Sequence, residues 1–84
     1  SFMIFLALTR KGYESYQSIS NISACLLWLS AGILSKAELA ALRQSGLAFS
    51  DFSYVIEPND KEAISCAIHT IKEHHPDETV WVES

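Results

Sequence analysis

The sequence predicts a small α/β domain with a mainly parallel sheet, and three observations carry that expectation. Phe2–Leu8 is an apolar run with no alternation, which suits a strand buried on both faces. Phe52–Val82 (FSYVIEPNDKEAISCAIHTIKEHHPDETVWV) reads strand–helix–strand, the unit that lays two parallel strands beneath a crossover helix of right-handed sense. Hydrophobic residues make up 49% of the 84, enough for one core and too few residues for a second. Residues 1–84 are therefore read as a single α/β domain.

Taken in order, Phe2–Leu8 (FMIFLAL) is the central strand, and Thr9-Arg10-Lys11-Gly12 turns the chain. From Tyr13 to Ala31 the spacing predicts a helix. Ile19, Ile22, Leu26, Leu29 and Ile33 follow steps of three and four along one face. Its first half is rich in Ser, Asn and Gln, so the start can slip as late as Ser20. No charge falls between Ser15 and Ser35, but the densely apolar part, Ala24–Leu34, is too short for a bilayer span.

Gly32 ends this helix, and Ser35-Lys36-Ala37-Glu38 opens a second with a capping-box pattern. Leu34 and Leu39 are spaced as a hydrophobic staple around it. The second helix spans Lys36–Gln44, and Gly46 closes it. Leu47–Glu57 returns to strand character, with Phe52, Tyr54 and Ile56 on one side. Pro58 blocks continuation, Asn59 or Asp60 caps a third helix running to about His74, and Pro76 bars its extension. Thr79–Glu83 is the last strand, with Val80 and Val82 opposite Trp81.

The order βααβαβ places the first strand between the other two. The expected architecture is a three-stranded, mainly parallel sheet of order 2-1-3. The helical hairpin covers one face and the third helix the other. A ferredoxin-like or antiparallel mixed sheet is the alternative.

Charge is unevenly spread. Residues 1–50 hold four basic against two acidic side chains; residues 51–84 hold two against eight, for a net −4. No basic stripe follows a phosphate backbone, which argues against nucleic acid as a partner. Cys25 and Cys66 form no C-x-x-C pair, and two lone thiols fit a reducing, cytoplasmic setting. The basic pair Arg10–Lys11 follows the N-terminal apolar run instead of preceding it, the wrong order for an export signal.

Three constellations carry the functional expectations. The turn Arg10, Lys11, Gly12, after the central strand and before a helix N-terminus, is a candidate site for a small anionic ligand. Glu57, Asn59 or Asp60 at the next strand end would complete it, although neither a P-loop nor a G-x-G-x-x-G pattern is present. On the third helix, Glu62, Cys66 and His69 share an outer face with Glu73, a row of metal-ligand types without a second segment to complete a tetrahedral site. On the first helix, Leu27 and Trp28 fall outside the core stripe. With Tyr16 they form a candidate interface, since Trp and Tyr make effective anchors.

No nucleophile elbow or oriented nucleophile–base pair appears, which argues against an enzyme. The leading expectation is a small, soluble, cytoplasmic interaction module without a cofactor. It would bind a protein partner or itself as a homodimer, and neither nucleic acid nor a membrane. An anionic-ligand protein or minor enzyme using the Arg10–Gly12 turn, and a metal-binding module on the third helix, are the alternatives.

Overall fold

The computed structural model describes residues 2–19 and 24–84. The elements are β1 (Met3–Ala7), α1 (Arg10–Gln17), β2 (Cys25–Leu29), α2 (Lys36–Gln44), β3 (Phe49–Asp51), α3 (Lys61–His74) and β4 (Thr79–Glu83). The strands form one sheet of order β3-β2-β1-β4, every neighbouring pair parallel.

β1 is central and apolar on both faces, as its sequence requires: Ile4 and Leu6 pack on one side, Phe5 and Ala7 on the other. The expected three-stranded order 2-1-3 is corrected to four strands. The segment expected as a helix over Tyr13–Ala31 holds a short helix that starts at Arg10 and ends at Gln17, then a strand at Cys25–Leu29. Ser20, the latest expected start of that helix, and Ile22 of its expected stripe lie outside the described residues.

The physical reason for the correction lies in β2 itself. A strand buried on both faces has no alternation, so CLLWL looks like a piece of buried helix. Its Leu27 and Leu29 enter one core, while Leu26 and Trp28 enter the other.

Right-handed crossovers then place the helices. β1, β2 and β3 step in one direction across the sheet, so α1 and α2 share a face. There Tyr13, Tyr16, Ile33 and Leu34 pack with Leu39 and Leu42. The step from β3 to β4 runs back past β2 and β1, so α3 lies on the opposite face, burying Ala67 and Ile71 against Ile4, Leu6, Trp28 and Ile56.

Local signals fix the helix starts. Thr9 Oγ1 accepts the Gly12 N–H at 3.0 Å, Ser35 and Glu38 form the expected capping box, and Asp60 Oδ1 accepts the Ala63 N–H at 3.0 Å. Strand β3 covers only part of the expected Leu47–Glu57. Beyond it the chain folds inward: the Ile56 N–H donates to the buried Ser30 Oγ at 2.8 Å, and Phe52 and Ile56 join the α3-side core. Among the described residues no helix is long and apolar enough to cross a membrane.

Candidate functional site

The turn after β1 lies at the carboxyl end of the sheet, yet its groups are already engaged. Arg10 Nη1 and Nη2 donate to Glu38 Oε1 and Oε2 at 3.0 and 2.5 Å, and Nη1 also reaches the Ile33 carbonyl at 3.3 Å. This two-pronged bond, with the Ser35 N–H behind it, holds the Glu38 carboxyl down at about 2, and the same pairing raises the Arg10 guanidinium. Gly12 faces the end of β4. A Cβ there would lie 2.5 Å from the Glu83 carbonyl oxygen, so glycine is what lets α1 sit against that strand. Lys11 is exposed. The arrangement ties α1, α2 and β4 together and leaves the Arg10 charge neutralised.

Tyr16, Leu27 and Trp28 are inside the protein. They are 1%, 0% and 7% exposed, so the surface they were to form does not exist. The reason is the strand at Cys25–Leu29: Leu27 faces α1 and α2, while Trp28 faces α3 beside Phe52 and the His74 ring, at centroid distances of 5.4 and 5.7 Å. The Tyr16 hydroxyl and Trp28 Nε1 are buried and have no hydrogen-bond partner among the described residues. Burial pushes the Tyr16 phenol above its ordinary value, so it stays neutral.

On α3, Glu62, Cys66, His69 and Glu73 occupy the exposed face, as their spacing demands. His69 Nε2 lies 3.8 Å from Glu73 Oε2. Among the described residues no three His, Cys, Asp or Glu side chains converge on a point that could hold a metal ion. Glu57, Asn59 and Asp60 are exposed, and Asp60 is committed to capping α3.

The feature that none of these expectations includes is the outer edge of β4. Among the described residues this strand has β1 on one side and no strand on the other. The Leu8 N–H donates to the Glu83 carbonyl at 3.0 Å, with Ala7 opposite Glu83 in the register. In a parallel ladder that bond turns the N–H and C=O of Thr79, Trp81 and Glu83 toward β1 and those of Val80 and Val82 outward.

Trp81, in the middle of the strand, is 53% exposed, and its Nε1 donates to Glu83 Oε1 at 3.0 Å. Its ring borders a largely apolar groove of about 330 Å³ that runs between β4 and α1, lined by Met3, Phe5, Ser15, Ile19, Trp81 and Glu83. α1 is short and meets β4 at Gly12 beside Glu83, and among the described residues the face around Trp81 stays open. The sequence did carry a signal for it. TVWVE alternates, and an alternating strand has one face that the core does not claim.

No protein-family model matches the sequence, and neither a curated protein nor a solved structure gives a significant match.

Proposed function

We propose that this chain is a protein-interaction module that docks extended polypeptide, from another protein or from itself, along the outer edge of β4. The observation that supports the reading is the unprotected edge. Proteins commonly blunt an exposed strand with a proline, a lysine, a bulge or a very short length. β4 has five residues, no proline and no lysine, and an exposed tryptophan at its centre. A strand added there would find two outward backbone pairs for hydrogen bonds and a groove beside Trp81 for one side chain, the chemistry of β-strand addition. Covering a large apolar side chain such as Trp81 contributes roughly 1.5–3 kcal/mol.

A random-peptide display selection, followed by amide NMR with the selected peptides, tests this reading. Peptides with alternating apolar residues should be enriched, and their addition should shift the amide signals of residues 79–83 first. Failure to enrich any peptide over a Val82→Pro bait, or shifts confined to another face, would contradict it.

A further inference from the structure

We infer that a second copy of this chain is the partner that fits the edge best, with the two β4 strands paired antiparallel about a twofold axis through Trp81. The inference rests on the docking reading above and names its occupant.

Strand register selects that partner. A twofold axis demands that the strand be complementary to itself. Centred on Trp81, the pairing sets Val80 opposite the partner's Val82 and Val82 opposite the partner's Val80. These are the two residues whose backbone groups point outward, so both pairs exchange N–H···O=C bonds and no outward group on the strand is left over. Trp81 then faces the partner's Trp81 as the on-axis, non-bonded pair, the kind in which side chains approach most closely. Both rings lie on the α1 side, above the two grooves, where each covers apolar surface that is open in the single chain.

Charge selects the same register. With Trp81 on the axis, Glu83 meets the partner's Thr79, and Glu78 meets the partner's Ser84. No like charges oppose one another. Moving the axis to Val80 sets Glu83 against the partner's Asp77, and moving it to Val82 cuts the overlap to three residues of β4. The product is a continuous eight-stranded sheet with β3 at both ends. A five-residue edge with one groove is smaller than the ~800 Å² per partner of a standard interface. The association is accordingly of moderate strength, in the micromolar range.

Sedimentation of the whole chain across the micromolar range is the first arm of the test. The wild type should pass from monomer to dimer as concentration rises. Val82→Pro removes an outward N–H and leaves the β1 ladder intact, so it should weaken dimerisation at least tenfold with an unchanged far-ultraviolet circular dichroism spectrum. Trp81→Glu should act in the same direction by setting two carboxylates on the axis.

The second arm fixes the register. In a chain carrying Cys25→Ser and Cys66→Ser, Trp81→Cys should form a disulfide-linked dimer under mild oxidation. The on-axis Cα separation of about 4.5 Å lies within the ~4.4–6.8 Å that a disulfide spans. A wild type that stays monomeric to high micromolar concentration overturns the inference. So does a dimer indifferent to both edge variants, or one that Trp81→Cys cannot cross-link. If the chain is monomeric while selected peptides still shift residues 79–83, the twofold pairing falls and the docking reading survives. If neither peptides nor a second copy engage β4, both fall.

Discussion

At one end of the sheet β3 contributes three residues; at the other β4 contributes five. The outward backbone groups of β3 belong to Phe49 and Asp51, because the Phe52 N–H donates inward to the Leu29 carbonyl at 2.8 Å. Both outward residues are held by one side chain of α2. The Arg43 guanidinium lies 4.6 Å from the Phe49 ring centroid and bonds Asp51 Oδ1 at 3.1 Å. The β3 edge is thus short, charged and overlaid by a helix, the usual ways of keeping strands from pairing. The β4 edge is longer, and among the described residues no helix side chain bonds across its outward residues Val80 and Val82. Its one charge, Glu83, sits at the strand end bonded to Trp81 Nε1. One small sheet therefore has one edge closed by its own side chains and one that offers hydrogen bonds and a tryptophan to another chain.

The two tryptophans lie on opposite sides of this divide, and exchanging them for alanine should produce the largest contrast. Trp28 is enclosed by Phe52 and α3, so Trp28→Ala should cost about 3–5 kcal/mol in urea unfolding. Trp81→Ala, measured at concentrations low enough to hold the monomer, should cost no more than about 0.5–1 kcal/mol. Equal losses would mean that Trp81 is part of the fold and not of a docking surface.

A smaller effect probes how β4 is fixed to the rest. Gly12→Ala brings a Cβ to 2.5 Å from the Glu83 carbonyl. Overpacking of that kind costs roughly 1–3 kcal/mol, against a helix-propensity gain of at most about 1 kcal/mol. The melting temperature should fall. A rise would show that the C-terminal end of β4 yields easily.

On the closed edge, Arg43→Ala removes an exposed ion pair worth about 0.2–1 kcal/mol. The melting temperature should drop slightly. No new association should appear in sedimentation, since β3 remains three residues long.

The smallest effect is one of pH. Glu38 has a folded value of about 2 against the usual 4.5, so its pairing with Arg10 stabilises the fold fully above 4.5. That contribution is lost as pH falls from 4.5 toward about 2. A carboxyl NMR titration should find Glu38 ionised well into that window, and Arg10→Met should return it toward the ordinary range.

How much of this was legible beforehand depends on whether a signal was local. Lys36–Gln44 and Thr79–Glu83 appear with the boundaries their sequences suggest, because a capping box, a glycine stop and an alternating strand are decided within a few residues. β1 was legible as a central strand because only burial on both faces suits FMIFLAL. β2 was not. Leu26 and Leu29 keep helical spacing as well as strand burial, and only the length of the apolar run separates the two readings.

That single ambiguity moved Leu27 and Trp28 from an expected surface into the core and removed the interface built on them. The open face beside β4 was hidden for a related reason. The order 2-1-3 already left Thr79–Glu83 at an edge; what it did not show is that the short α1 leaves the face around Trp81 open.

The most direct measurement of the difference between the edges is amide hydrogen exchange, residue by residue, across a range of protein concentrations. Val80 and Val82 should exchange freely in dilute solution and gain protection as concentration rises, while Phe49 and Asp51 keep the same rates throughout. Protection of Val80 and Val82 already in the dilute monomer, rates that do not depend on concentration, or protection on β3 instead would contradict an open, self-pairing β4 edge.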